Sequence, residues 1–75
     1  MGLKTILNTF YFEQTTPATT WAINHNLKTI TPVVDCYLNV SSVWTKVIPL
    51  EVQVVDSNNV NVVFSTAQTG RAKIV

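Results

Sequence analysis

Apolar and polar residues alternate with a period of two along most of this chain, which is the signature of half-buried β-strands. In residues 32–40 the even positions Val34, Cys36, Leu38 and Val40 are apolar, against Asp35 and Asn39. In residues 49–55 the even set is Leu50, Val52 and Val54, against Glu51 and Gln53. In residues 59–65 it is Val60, Val62 and Phe64, against Asn61 and Ser65. Between the last two strands, Asp56-Ser57-Asn58-Asn59 predicts a hairpin, because Asp and Asn bond their own backbone two residues on and tolerate positive φ. A final strand is predicted over residues 71–75, with Ala72 and Ile74 inward and Gly70 ending the preceding turn. Upstream, residues 19–25 alternate with Trp21 and Ile23 on one face, and Asn24-His25-Asn26 reads as a turn. Residues 43–48 form a further strand with a broken pattern after a turn at Ser41-Ser42, and Pro49 marks a strand edge or a bulge. No stretch carries sustained helical spacing.

The first thirteen residues differ. Leu3, Leu7 and Tyr11 fall on one side of an extended chain and Ile6, Phe10 and Phe12 on the other, so neither face is polar. Such a segment is a central strand or an arm laid on another subunit. Residues 14–20 then read as a linker with a turn at Pro17. The chain therefore divides into an apolar N-terminal arm, residues 1–13, and one β domain, residues 14–75, whose compact part begins near Thr19. The fold class is all-β, a small antiparallel β-sandwich with an N-terminal extended arm or strand. Trp21, Ile23, Val34, Leu38, Val52, Val62 and Phe64 are expected to set its core.

Size and composition turn this pattern toward association. A chain of 75 residues buries only about 60% of the surface its unfolded form exposes. One cysteine excludes an internal disulfide, and one His with one Cys cannot make a four-ligand zinc site. Charged residues are 12% of the chain, about half the usual share. So sparse a charged surface suits a protein covered by neighbours. The net charge of +1 comes without a polybasic run, so nucleic acid and acidic lipid are not expected partners. Apolar runs are far too short for a membrane span, and no h-region of a secretory signal follows Met1.

Catalytic chemistry finds little footing. Cys36 lies on an inward strand face, and its neighbour Asp35 points the other way, so the two cannot cooperate. Asp56 is explained by its turn. Glu13 and Glu51 have no evident acid–base partner. His25 reads as a turn residue whose ring fixes a corner rather than as a ligand. No enzyme activity and no cofactor are expected.

Residues 19–27, Thr-Thr-Trp-Ala-Ile-Asn-His-Asn-Leu, carry a further signal. They are similar to a W-x-I-x-H-N-L-G motif met in virion structural modules of tailed bacteriophages, of the tail-fibre, baseplate and head-decoration type. Pro32, Val33-Val34-Asp35, the run Asn59-Val60-Asn61-Val62-Val63-Phe64-Ser65 and Gly70-Arg71-Ala72 follow in the family's order. The likeness spans about residues 15–75. It departs at Lys28, where the family has glycine, and across residues 36–48, which have no clear counterpart. The resemblance implies a non-enzymatic assembly or attachment module in the virion, assembled in the host cytoplasm. Its partners would be other virion structural proteins, with the module present as a homo-oligomer or in many symmetry-related copies. The tail, baseplate or fibre apparatus is preferred over capsid decoration or a head fibre. The partner-binding residues expected are Leu3, Ile6, Leu7, Phe10, Tyr11 and Phe12 in the arm, then Trp44. A rival of another class is a small β-barrel binding nucleic acid or carbohydrate through Tyr37, Trp44, Lys46, Arg71 and Lys73.

Overall fold

The computed structural model describes residues 9–75; Leu3, Ile6 and Leu7 lie outside the described residues. The protein is all-β. Its strands are β1 (Phe10–Asn24), β2 (Val34–Val40), β3 (Val43–Val47), β4 (Glu51–Asp56) and β5 (Asn59–Ile74). All five belong to one antiparallel sheet ordered β1-β5-β2-β3, with β4 pairing β5 off this path. Valine, threonine and aromatic residues fill these strands, as stiff side chains that fit a pleated surface do.

β5 is the spine. Along one edge it pairs with β1 from Phe10↔Ile74 to Asn24↔Asn59. Its other edge is shared, with β4 opposite its beginning (Val54↔Val60, Val52↔Val62) and β2 opposite its end (Cys36↔Ala72, Val34↔Ile74). The sheet thus has two halves joined through the middles of β1 and β5. There the ladder is irregular: from Gln14 to Thr20 β1 advances six positions while β5 retreats seven, from Gly70 to Val63. The odd mismatch reverses which β1 side chains point inward. Phe10 and Phe12 face the core before it, Trp21 and Ile23 after it. β5 keeps its even positions inward on both sides of the irregularity, with Val60, Val62, Phe64, Ala72 and Ile74 all buried.

The halves close on Trp21. Its ring lies 4.7 Å from Phe64 and 6.2 Å from Phe12, centroid to centroid. Its indole Nε1–H donates to the carbonyl of Gln68 at 3.0 Å, satisfying a buried donor. Trp21 and Leu38 also press on Gly70, which has no room for a Cβ. Ile23, Cys36, Val60, Val62, Ala72 and Ile74 complete the core, flanked by half-buried Phe10, Phe12, Val34, Leu38 and Val47.

Three sequence expectations are corrected here. Residues 10–13 of the arm run into the linker as one continuous strand: Phe10, Tyr11, Phe12 and Glu13 pair with Ile74, Lys73, Ala72 and Arg71, and the boundary placed at residue 13 falls inside β1. The turn expected before Gly70 is likewise absent, since β5 runs through it. The Thr-rich stretch from Gln14 to Thr20, which looks like a break, is where the ladder between these long strands bulges. Val52, expected in the core, is 38% exposed.

The turns are specific. Ser41 and Ser42, with φ of 51° and 70°, join β2 to β3 in the left-handed turn that matches strand twist. The Ser57-Asn58 turn needs no positive φ. Asp56 Oδ1 accepts the Asn58 backbone N–H at 2.8 Å and the Asn59 amide at 2.9 Å, which holds its carboxyl below the usual range. Asn58 then anchors the loop after β1: its carbonyl accepts the His25 N–H at 2.9 Å and its side-chain oxygen the Lys28 N–H at 3.0 Å. His25 is buried and takes the Leu27 N–H on Nδ1 at 3.0 Å, the corner-fixing role its sequence context suggested. Lys28 adopts φ 55°, so the tight turn forms without the glycine.

Candidate binding surfaces

Two surfaces are left after the core is accounted for. The first is the outer face of the half built from β1, β5, β2 and β3. Strand alternation decides its membership. Because Phe10, Phe12, Cys36, Leu38, Ala72 and Ile74 turn inward, Tyr11, Glu13, Asp35, Tyr37, Arg71 and Lys73 must turn outward. Register then sets neighbours: Tyr11 lies opposite Lys73, Lys73 opposite Asp35, and Arg71 between Glu13 and Tyr37. On β3, Lys46 lies opposite Tyr37 and Trp44 opposite Asn39. Arg71 reaches across β2 and stacks its guanidinium 4.0 Å from the centre of the Trp44 ring. Lys46 Nζ is 3.2 Å from Asp35 Oδ1. It is the one ion pair among the described residues, so Arg71 and Lys73 are uncommitted. Tyr11, Tyr37, Trp44, Arg71 and Lys73 line a shallow groove of about 300 Å³.

The second surface is on the core side of β4. Val52 and Val54 lie opposite Val62 and Val60, which are fully buried, yet they are themselves 38% and 44% exposed. Leu50 extends the row: its N–H reaches the Val63 carbonyl at 2.8 Å, while its side chain stands 69% exposed. The described residues cover this strip only in part: Val52 shares a hollow with Val34, Val47, Ile48 and Pro49, and the row stays open to solvent. Among the described residues β4 pairs with β5 alone, so its other edge offers N–H and C=O groups that none of them pairs. It carries neither lysine nor proline, the usual devices against edge pairing, and only Glu51, Asp56 and a bulge at Val55 interrupt it.

The residues expected to bind a partner are therefore dispersed. Phe10 and Phe12 are half-buried against the core and unavailable as an outer contact. Tyr11, 74% exposed, and Trp44 both join the outer groove. That groove gathers Tyr37, Trp44, Arg71 and Lys73, the residues of the rival binding reading, with Lys46 beside them but spent on Asp35. Tyr11 was not among them, although its alternation with Phe10 and Phe12 placed it on the opposite side. The thiol of Cys36 is buried and pushed up to about 11, mainly by burial and secondarily by Asp35, so it is not a poised nucleophile. Compared with protein-family models, with curated proteins and with solved structures, the chain shows no match.

Proposed function

We propose that this chain is a non-enzymatic structural module that a second polypeptide completes, of the kind tailed bacteriophages build into the tail, baseplate or fibre apparatus of the virion. The phage assignment rests on the resemblance around Trp21–Leu27. The completion rests on one observation: Leu50, Val52 and Val54 occupy core-facing positions on β4, opposite fully buried residues of β5, and are nevertheless left substantially exposed among the described residues. An extended segment laid along β4 would continue its hydrogen-bond ladder and cover that row in one step. Symmetry-related copies, or a larger virion protein, would supply the segment. Leu3, Ile6 and Leu7 belong to the same proposal as contacts of the leading segment.

Sedimentation velocity over a hundredfold range of concentration tests the completion. The wild-type chain is expected to self-associate or to aggregate. The double variant Val52→Lys, Val54→Lys is expected to be monomeric and folded, because both side chains already reach solvent. A wild-type chain that stays monomeric and melts at a high temperature independent of concentration would refute it. Mass spectrometry of gradient-purified particles tests the phage assignment: the chain should be present in fixed copy number. Deleting residues 1–8 should spare the fold and reduce incorporation, whereas deleting residues 1–13 removes pairs of β1 with β5 and should unfold that half of the sheet.

A further inference from the structure

We infer that the outer groove binds a sugar ring bearing a carboxylate, held by Arg71 and seated against Tyr11 and Tyr37. Arg71 has most of its hydrogen-bonding capacity left to give. Its stack on Trp44 at 4.0 Å uses the guanidinium face and fixes its plane. The N–H donors lie in that plane, and among the described residues they meet no carboxylate within 4.0 Å and make no side-chain hydrogen bond. A planar fork held still with its donors unspent matches the two oxygens of a carboxylate. Lys73, two positions along β5 and on the same face, adds a second uncommitted cation.

The walls select the rest of the ligand. Tyr11 presents an exposed ring across Lys73, and Tyr37 a half-buried one beside Arg71. The C–H face of a pyranose packs on such rings, and its hydroxyls can bond the phenolic oxygens. At about 300 Å³ the groove is at the small end of ligand sites, in keeping with a short segment rather than a long polymer. Charge argues against a nucleic-acid strand. Glu13 lies opposite Arg71 and Asp35 opposite Lys73, so phosphates repeating at every nucleotide would meet carboxylates on both sides. Lys46 is occupied by Asp35, and the whole chain carries only +1. A single anionic group with a neutral ring fits this arrangement; a polyanion does not. This inference is independent of the proposed assembly role.

The test is a titration followed by the two indole N–H resonances in ¹⁵N–¹H spectra, with the methyl glycoside of galacturonic acid, the neutral methyl galactoside and a short oligothymidylate as probes. With the galacturonide the Trp44 signal should move saturably and that of buried Trp21 should not. The galactoside should bind at least tenfold more weakly, and so should the oligothymidylate. Arg71→Lys, which keeps the charge and loses the fork, should weaken binding severalfold, and Arg71→Ala should abolish it. Arg71 sits on an exposed outer face, and circular dichroism checks that each variant is folded. Equal binding of the neutral sugar, tighter binding of the oligothymidylate, an unaffected Arg71→Ala variant, or a Trp44 signal that no probe moves would each overturn the inference.

Discussion

Gly70 offers the sharpest test of how the two halves of the sheet meet. Replacing glycine by alanine in an unstrained strand ordinarily stabilises by about 0.4–1 kcal/mol, because the unfolded chain loses freedom. Gly70 has no positive φ, so backbone strain does not alter that expectation. Space does. A Cβ there would lie 2.4 Å from the Tyr37 carbonyl oxygen, 2.9 Å from Leu38 Cδ2 and 2.9 Å from Trp21 Cη2. Ordinary contact needs about 3.5 Å. The Leu38 methyl can rotate aside; the Tyr37 carbonyl is backbone and the Trp21 ring is wedged by Phe12 and Phe64. β2 must therefore move by roughly 1 Å from β5, at an overpacking cost of about 1–3 kcal/mol or more. After the entropic gain, Gly70→Ala should destabilise by about 2 kcal/mol. At roughly 4–8 °C per kcal/mol for a domain of this size, the melting temperature should fall by about 8–16 °C. Urea unfolding read through Trp fluorescence measures it, with the exposed Thr69→Ala as a control that changes stability by less than about 0.5 kcal/mol. A Gly70→Ala protein as stable as its parent would mean that β2 and Trp21 do not close on β5 as described.

Three other outcomes follow from the turns and the core. The buried Cys36 thiol keeps its proton up to about 11, whereas the unfolded chain releases it near 9.0. The unfolded state therefore binds fewer protons between these values, and stability falls as pH rises through that window, by at most about 3 kcal/mol. Urea midpoints at pH 8 and pH 10.5, compared with those of Cys36→Ala, isolate this slope, which the variant should lack. At the β2–β3 turn, Ser41→Asn with Ser42→Gly should stabilise by about 1–2 kcal/mol, since both positions are left-handed; an unchanged melting temperature would contradict that turn geometry. Lys28→Gly should stabilise by up to about 1 kcal/mol for the same reason, with the Asn58 contact retained because it uses the backbone N–H. A loss of stability in that variant would show that the Lys28 side chain matters more than its backbone.

Much of the fold was legible because strand alternation reports directly on facing. Val60, Val62, Phe64, Ala72 and Ile74 were read as inward and are buried, and the hairpin at Asp56-Ser57-Asn58-Asn59 sits where its side chains predicted. What escaped was continuity. Gln14 to Thr20 looks like a linker because threonine and proline are common in loops, yet β1 bulges through it as an edge strand, where a missing N–H is tolerated. A bulge also hides a strand from periodic reading, since Phe12 and Trp21 share a face only after the register slips by an odd count. Val52 was misplaced for the opposite reason: alternation gives its direction correctly, but says nothing of whether anything lies in that direction. The outer groove was half legible. Trp44, Tyr37, Arg71 and Lys73 could be suspected as a set, but their meeting depends on β3 lying beyond β2 and on Arg71 crossing it, facts of strand order that no local pattern carries.

The position of β5 has a consequence for how the molecule comes into being. β1, β2 and β4 all hydrogen-bond to it, and it follows every one of them in the chain. During synthesis, before β5 emerges, only the β2–β3 hairpin can close on its own. β4 can close its local hairpin once the first residues of β5 emerge, but the greasy edge of β1 must wait, unpaired, until the rest of residues 59–74 have left the ribosome, and β1 and β2 then pair with β5 across long stretches of chain, which favours slow folding. The nascent chain is most vulnerable to mispairing in that interval, and a chaperone or a waiting assembly partner would find it then.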